Sequence, residues 1–395
     1  MDQVRTVADN IKALRKSAGM TQRRLAERAN VSVSLLSKVE ADDRPASHAF
    51  VAAVARALRV PIERVYGQPY GEFDSSASVD ALRVALRGYD LPAETGTVPR
   101  PWEELAAEVR EIAELRRNGR YAKLAARLPA IIEDLTVAVH EADSARRVRA
   151  FRLLVSVYYA SHGLAYRLGY ADLAESIEHK LIWAAGQSGD PLAAGLAQWT
   201  RVTTFQSAGD YGRGLRILDA ARGQLTDELS GSDQAAVTVY GSMHLRAVTL
   251  ASRAGDATTT RAHLDAAYEL LRRAPSDAVH YHLTYGPANV RIHDVAASVE
   301  LGEPEQAVER GRGFEPPRGM PATRAGHHYI DLAHAHVLLE DRAGTLAALE
   351  SARRLAPEQT RYHPMVRETT RALIGLHRRA NPELTRFTTW LGLAG

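Results

Sequence analysis

Glycine-centred turns recur along most of this chain at intervals of 40 to 50 residues, with two stretches of helical periodicity in each interval. Apolar residues between the turns recur every three or four positions, the pattern of helices with one buried face. A repeat of this length predicts stacked helix pairs, each burying its apolar face against the next. We therefore predict an all-α fold, with an irregular helical bundle as the alternative to a regular array. The turn glycines are Gly119, Gly169, Gly209, Gly255, Gly302 and Gly344.

The composition narrows the class of protein further. The 395 residues are 45% hydrophobic and 25% charged, which is ordinary for a globular protein and too apolar for a disordered one. The absence of cysteine excludes disulfides, thiolate metal sites and a cysteine nucleophile. No charge-free run of about 18 apolar residues is present, and the first residues lead into a charged amphipathic stretch instead of a signal peptide. We expect a cytoplasmic protein without membrane contacts.

The net charge of +3 is distributed unevenly. Residues 1–67 contain 12 Lys and Arg but 7 Asp and Glu, a local charge of +5, which leaves −2 for the rest of the chain. A basic excess confined to one end predicts that a polyanion binds there.

Residues 21–40 have the pattern of two short helices joined by a tight turn. Thr21 and Ser32 are residue types that cap helix N-termini, and Asn30 tolerates the left-handed conformation that such a turn needs. This geometry is that of a helix-turn-helix. Apolar residues fall on the inner face of both helices, namely Leu25, Ala26 and Ala29 in the first and Leu35, Leu36 and Val39 in the second.

From Ile11 to Tyr66 the sequence resembles the Xre/Cro-type family of helix-turn-helix regulators. The resemblance implies a five-helix domain whose recognition helix, starting at Ser32, enters the major groove of DNA. Such domains usually bind inverted repeats as dimers. The matching segments are Leu14-Arg15, Gly19-Met20-Thr21-Gln22, Leu25-Ala26, Val31-Ser32, Leu36-Ser37-Lys38-Val39-Glu40, Arg44-Pro45 and Val54-Ala55-Arg56-Ala57-Leu58-Arg59-Val60.

The resemblance also assigns DNA contacts residue by residue. Side chains of the recognition helix face base edges, and side chains flanking it hold phosphates, with Arg15 and Lys16 as further phosphate ligands. One departure is that Ala41-Asp42-Asp43 stands where the family usually has a glycine. Either this loop turns away from the duplex or the affinity is modest. The candidate DNA-binding residues are Gln22, Arg23, Ser32, Val33, Ser34, Ser37, Lys38 and Arg44.

The turn Gly209-Asp210-Tyr211 and the small residues after it resemble a tetratricopeptide repeat. In that fold the first helix of each pair lines a concave groove. Asn289 and His293 share one helix face there; the Asn amide can read the backbone of an extended peptide, or it can bond a neighbouring helix or loop. The candidate ligand-binding residues are Tyr159, Tyr166, Trp199, Thr203, Gln206, Arg246, Thr249, Asn289, His293 and His334.

Other chemistries find little support in the sequence. Seven of the fifteen histidines lie between His280 and His336, but no two of these are four residues apart on one helix, and no His-Glu-x-x-His motif is present. Nucleotide-binding glycine loops and nucleophile elbows are also missing. We expect no metal, no cofactor and no enzymatic activity.

The predicted organisation has three parts: a DNA-binding domain at residues 1–67, a linker with one short helix at 68–101, and a helical repeat domain at 102–395 for ligand sensing and dimerisation. This layout resembles the peptide-sensing RRNPP regulators and a set of actinobacterial regulators, and the Arg- and Ala-rich composition favours the latter. We predict a homodimeric, sequence-specific transcriptional regulator that binds operator DNA and senses an effector, most simply a short peptide as in quorum sensing, with residues 67–76 as the hinge. The alternative is an adaptor whose array binds a protein partner, with DNA binding secondary.

Overall fold

The computed structural model of the chain describes residues 6–70, 76–91, 100–231, 233–377 and 381–393. Over these residues the chain is almost entirely helical, as predicted, with 21 α-helices, two short 3₁₀ helices and one two-stranded hairpin. No helix in the described ranges is long and apolar enough to cross a membrane. The predicted hinge and linker include residues 71–75 and 92–99, which lie outside these ranges.

Five helices form the N-terminal unit, and one helix connects this unit to the rest of the chain. The connecting helix α6 (Ser76–Arg87) is the one short helix predicted within the linker, and it packs against the second helix of the array. The helices of the N-terminal unit are α1 (Val7–Ser17), α2 (Gln22–Ala29), α3 (Val33–Glu40), α4 (His48–Leu58) and α5 (Ile62–Tyr66).

Six helix pairs follow and form an array. A hairpin of β1 (Ala278–His280) and β2 (Leu283–Tyr285) lies between the fourth and fifth pairs, and three helices end the described chain. The pairs are α7 (Trp102–Arg117) with α8 (Tyr121–Glu141), α9 (Ser144–Leu168) with α10 (Ala171–Ser188), α11 (Pro191–Ser207) with α12 (Tyr211–Gln224), α13 (Gln234–Arg253) with α14 (Ala257–Leu270), α15 (Pro287–Glu300) with α16 (Pro304–Gly311) and α17 (Ala322–Leu338) with α18 (Arg342–Leu355). The last helices are α19 (Pro357–Tyr362), α20 (Pro364–Leu376) and α21 (Pro382–Leu391).

The turns inside these pairs share a chemical basis. Gly255 adopts a φ of +74°, a conformation that costs a residue with a side chain about 1–2 kcal/mol. The next residue, Asp256, caps the following helix, because its carboxylate accepts a hydrogen bond from the Thr259 N–H at 2.9 Å. The same arrangement recurs at Gly209 and Asp210. Glycine therefore ends one helix and aspartate starts the next.

One predicted turn glycine is wrong. Gly344 lies inside the first turn of α18, where its N–H donates to the capping residue Asp341 at 2.9 Å. The left-handed residue of this turn is Glu340, with a φ of +57°. The predicted turn is thus displaced by four residues. The other five predicted glycines lie in the turns of the first five pairs and have positive φ.

The array closes into a ring, because its first turn contacts its last helices. Thr323 Oγ1 donates to the Arg117 carbonyl at 3.0 Å, and the Glu358 carboxylate accepts from the Ala122 N–H at 2.9 Å. Gln359 is buried, with 1% of its surface exposed, and its Nε2 donates to the Thr323 carbonyl at 2.9 Å. The first helices of all six pairs therefore surround one interior.

The N-terminal unit lies across this interior. Arg56 Nη1 on α4 donates to the Gly209 carbonyl at 2.7 Å, and the Tyr66 hydroxyl on α5 contacts Met365 Sδ at 3.8 Å. Helices α4 and α5 thus face the ring, whereas the exposed surfaces of α2 and α3 face away from it.

Replacing Gln359 with Ala should destabilise the ring by about 1–3 kcal/mol, because the Thr323 carbonyl loses its donor in a buried setting. Urea denaturation of the full chain measures the loss. Gln224, exposed at the end of α12, provides the matched control, and Gln224→Ala should change stability by less than about 0.5 kcal/mol. Equal effects of the two substitutions would show that the junction does not hold the ring closed.

Candidate DNA-reading face and ligand chamber

The helix-turn-helix has the caps and the turn that the sequence predicts. Thr21 accepts from the Arg24 N–H at 3.2 Å, and Ser32 accepts from the Leu35 N–H at 3.1 Å. Asn30 between them is left-handed, with a φ of +54°. The predicted inner residues are buried apart from Leu35, which is half-buried. Two helices therefore cross tightly, with α3 held on the outer side of the unit.

The predicted base-reading side chains form one exposed strip, the DNA-reading face. Val33 is 43% exposed, which is high for an apolar residue and leaves it available for contact with a thymine methyl group. Arg23 makes only a surface ion pair with Glu27 at 3.1 Å, an interaction too weak to prevent phosphate binding. The exposed residues of this face are Arg23, Ser32, Val33, Ser34, Ser37, Lys38 and Arg44.

Two predicted phosphate ligands are held inside the unit by Glu40. Arg15 Nε donates to Glu40 Oε1 at 2.6 Å, and Gln22 Nε2 donates to Glu40 Oε2 at 2.8 Å. Burial opposes ionisation of Glu40, but the hydrogen bonds from Arg15 and Gln22 outweigh it and hold the pKa of this carboxyl below its usual value. Arg15 is therefore structural, and Gln22 keeps only part of its hydrogen-bonding capacity for a phosphate.

The aspartate loop after α3 turns toward the array. Asp42 is left-handed, with a φ of +63°, a conformation that favours glycine. Burial raises the pKa of Glu368 on α20, and the nearby charge of Asp42 adds to this effect. Since Asp42 lies that close to α20, the structure favours the first of the two sequence-based alternatives, in which the loop turns away from the duplex.

The interior of the ring is a cavity of about 240 Å³, which we call the chamber. This space is far larger than a water molecule needs, and it is lined by polar and aromatic side chains. Eight of the ten candidate ligand residues line it, although they come from four different helices. The eight are Tyr159, Tyr166, Trp199, Thr203, Gln206, Arg246, Thr249 and His293.

The other two candidates lie elsewhere. Asn289 lines an adjoining side cavity of about 60 Å³, where its Nδ2 donates to the Thr284 carbonyl at 2.6 Å. Its Oδ1 is buried and has no hydrogen-bond partner among the described residues. His334 does not line the chamber, because it packs between α17 and α20 with Nδ1 3.4 Å from Thr369 Oγ1.

Sequence reasoning missed most of the positive charge of the chamber. Arg253 could have been found, because it follows Arg246 by seven residues and so shares its helix face. Arg116 and Arg324 lie on the first and last pairs and become neighbours only when the ring closes. The arginines that line the chamber are Arg116, Arg167, Arg246, Arg253 and Arg324.

Aromatic rings support these guanidinium groups. Arg246 lies 3.7 Å over the Trp199 ring, and Arg116 lies 4.6 Å over the Tyr159 ring. Arg246 also donates to Gln206 Oε1 at 3.0 Å. Burial lowers the pKa of Arg246 to about 10, which still leaves it protonated at neutral pH.

The acidic residues do not neutralise this charge. Glu300 is engaged by Arg253, whose Nε lies 2.7 Å from Glu300 Oε1. Burial, with repulsion from Glu300, raises the pKa of Asp331 to about 7, so this carboxyl is only partly ionised at neutral pH. Burial also raises the pKa of Glu63. The chamber is therefore positively charged.

The N-terminal unit supplies part of the chamber wall, a contribution that sequence patterns did not indicate. His48 Nδ1 lies 2.8 Å from the Tyr66 hydroxyl, and burial raises the pKa of that hydroxyl and lowers the pKa of His48. Both side chains face array residues across the chamber. The lining residues from this unit and the segment after it are His48, Ile62, Glu63, Tyr66 and Gln68.

The N-terminal unit is a helix-turn-helix domain of the Xre/Cro type found in DNA-binding regulators, since its geometry agrees with a match of residues 11–65 to the helix-turn-helix family. Over 63 residues the chain is 41% identical to an immunity repressor protein of Bacillus phage phi105. This match covers 16% of the chain and 44% of the relative, so the chain spans less than half of that protein. The crystal structure of Bacillus thuringiensis PlcR in complex with the peptide PapR7 and DNA aligns with 87% of this chain and 98% of that one, at 14% identity and a TM-score of 0.34.

Replacing Glu40 with Ala should destabilise the N-terminal unit by about 3 kcal/mol or more, because Arg15, whose side chain is 11% exposed, would lose its carboxylate partner. Hydrogen exchange of the α1–α3 amides measures this loss. Glu40→Gln keeps an acceptor without the charge and should fall between wild type and Glu40→Ala.

The pH dependence of this pair has a definite sign. The folded-state pKa of Glu40 is below the ordinary value of 4.5. The charge of Glu40 therefore stabilises the folded state fully above pH 4.5, and this stabilisation is lost as the pH falls through the folded-state pKa. The difference between wild type and Glu40→Gln should therefore shrink between neutral pH and about pH 3. A constant difference would rule out the ion pair as its source.

Proposed function

We propose that this protein is a homodimeric, sequence-specific DNA-binding regulator whose chamber binds an effector and thereby controls operator binding. The observation that carries the proposal is the shared wall of the chamber. Residues of the N-terminal unit and of the array line the same space. A ligand in the chamber would therefore contact both the unit that reads DNA and the array against which that unit packs.

Close packing at this wall provides the coupling. A Cβ on Gly169 of the array would lie only 2.4 Å from Gln68 Cβ, so the array packs closely against the end of the N-terminal unit and leaves no space for a side chain at Gly169. An effector larger than the present space must move the unit relative to the ring. Such an effector has different affinities for the two arrangements, which is the condition for any ligand-driven switch.

The DNA-reading face is exposed in the arrangement described here, so control does not require the face to be uncovered. In a dimer, control would act on the distance and angle between two such faces, because the half-sites of an inverted repeat lie about one helical turn apart. The effector is most simply a short peptide, which rests on the family resemblance and on the unsatisfied Oδ1 of Asn289 in the side cavity.

Lys38→Ala should weaken binding to an operator selected from random duplexes by about tenfold or more, because a base contact is lost, while binding to unselected duplex changes little. Arg44→Ala should weaken binding to both DNAs and reduce the slope of log affinity against log salt by about one phosphate contact. Fluorescence anisotropy over a salt series gives both quantities.

The matched control for these variants is Arg216→Ala, which removes an exposed arginine from α12 in the array. It should leave both affinities unchanged. Wild-type binding that is insensitive to salt, or a loss in Lys38→Ala that is equal for both DNAs, would contradict the assigned base contact.

Arg56→Ala should change effector-free operator affinity by about three- to tenfold, because the hydrogen bond from the N-terminal unit to Gly209 is lost. Hydrogen exchange at the Gly209 turn should rise in the same variant. Arg64→Ala, which removes an exposed arginine of the same unit, controls for net charge. Equal affinity changes in the two variants would mean that only charge matters and that docking is not coupled to DNA binding.

The adaptor alternative predicts a different pattern. A protein partner would use a broad outer face of the array and leave the chamber unused. If binding of such a partner were insensitive to every chamber substitution, while operator binding did not respond to any ligand, the adaptor function would replace the one proposed here.

A further inference from the structure

Four arginines of the chamber have no carboxylate partner among the described residues: Arg116, Arg167, Arg246 and Arg324. The guanidinium of Arg324 also makes no hydrogen bond to any described residue. Arginines of comparable burial elsewhere are paired within the chain, such as Arg15 with Glu40 and Arg310 with Asp294. The chamber thus brings together guanidinium groups that form no ion pair among the described residues, and the nearby carboxyl of Asp331 is only partly ionised at neutral pH.

Such an arrangement is costly in a protein interior. Charges taken out of water are normally paired or hydrogen-bonded, because the low dielectric strengthens repulsion and removes solvation. The arginines remain protonated, since burial lowers the pKa of Arg324, like that of Arg246, only to about 10. Stacking on Trp199 and Tyr159 supports the guanidinium planes of Arg246 and Arg116, and the buried Nε–H of each has no acceptor among the described residues.

We propose that the chamber binds an anionic ligand, and that Arg116, Arg246 and Arg324 hold its carboxylate or phosphate group. This inference rests on the proposed sensing function and adds the chemical class of the effector. Arginine is suited to the task because its planar donors match carboxylate and phosphate oxygens in pairs.

The three arginines converge on one region. Arg116 and Arg324 line both the chamber and the side cavity that contains Asn289. Arg246 lines the same chamber as these two, and the charges of Arg246 and Arg324 repel each other. An anion placed there would reduce their mutual repulsion and accept their unused donors.

The size of the site indicates an organic anion. A cavity of about 240 Å³ is larger than an inorganic ion fills, and its Trp199 and Tyr159 rings offer apolar surface beside the charges. The ligand can be a short peptide that presents a terminal or side-chain carboxylate, or a non-peptide carboxylate or phosphate ester. Both sources share the chemistry that the arginines recognise.

Thermal unfolding of the full chain in citrate, pyrophosphate or chloride at equal ionic strength tests this inference. Citrate or pyrophosphate should raise the Tm of the wild type in a saturable manner, because ligands that bind only the folded state stabilise it. Arg324→Gln should weaken this apparent affinity by about thirtyfold or more. Arg216→Gln, on the exposed face of α12, should respond as the wild type does.

Ligand-free stability separates a binding arginine from a structural one. Arg324→Gln should leave the ligand-free Tm unchanged or raise it, because it removes an uncompensated charge. Arg253→Gln should lower the Tm, because it leaves the carboxylate of Glu300 without its ion-pair partner. If Arg324→Gln lowers the Tm as Arg253→Gln does, and neither anion stabilises the wild type, the inference is wrong.

Two pools of random tetrapeptides, one with free and one with amidated C-termini, distinguish the sources. Stabilisation by the free-acid pool but not by the amidated pool identifies a peptide carboxylate. Stabilisation by citrate or pyrophosphate but by neither peptide pool identifies a non-peptide anion. Anion binding that leaves operator affinity unchanged would overturn the sensing function but not this inference. An uncharged effector that controls operator binding would overturn this inference and leave the sensing function intact.

Discussion

The structure of the array depends on the junction between its first turn and its last helices, which closes the ring. Helix α8 begins after Arg120, which provides no side-chain cap, and the Glu358 carboxylate from the far end of the array accepts one of the free N–H groups at Ala122 instead. A carboxylate at a helix N-terminus is favoured by the free donors and by the helix dipole. The same closure brings Arg116 of the first pair and Arg324 of the last pair to one cavity.

Closure also explains how a chamber inside the array can affect a DNA-binding surface. The N-terminal unit lies over the interior through α4 and α5, and Tyr66 and His48 contribute to its wall. A ligand that prefers one position of this unit must, by linkage, bind more tightly when DNA selects the same position. Helices α2 and α3 lie on the other side of the unit, so the DNA-reading face does not line the chamber. Under the proposed function, the two surfaces of this small unit are coupled through its core.

The parts of the fold that depend on local chemistry could be predicted from the sequence. The helix-turn-helix follows from Thr21, Asn30 and Ser32, whose caps and left-handed turn are properties of a few consecutive residues. The Gly255-Asp256 turn is equally local. The last turn was misplaced because Glu340, a residue type with no preference for positive φ, holds the position that glycine holds in the other pairs. The tetratricopeptide resemblance itself stays a prediction.

The chamber could be predicted only in part, because it depends on contacts between residues far apart in the chain. Assigning the first helix of each pair to a groove found Trp199 and Arg246, which lie on middle pairs whose neighbours are adjacent in sequence. It could not find Arg116 or Arg324, which meet through ring closure, nor Tyr66, which arrives from another unit. It also placed His334 in the groove, since helical periodicity does not reveal that α20 covers that side of α17.

The hairpin before α15 shows that the wall of the side cavity is held in place at an energetic cost. Its two turn residues, Tyr281 and His282, both have positive φ, at +47° and +63°, which costs non-glycine residues about 1–2 kcal/mol each. The Tyr281 hydroxyl donates to Asp190 at 2.7 Å, and the His282 carbonyl accepts from Arg116 Nη2 at 3.1 Å. These contacts hold the strained tip against the array. The hydrogen bond to the His282 carbonyl orients the guanidinium of Arg116, which has no carboxylate partner among the described residues. The strained backbone at His282 therefore helps to position an unpaired positive charge.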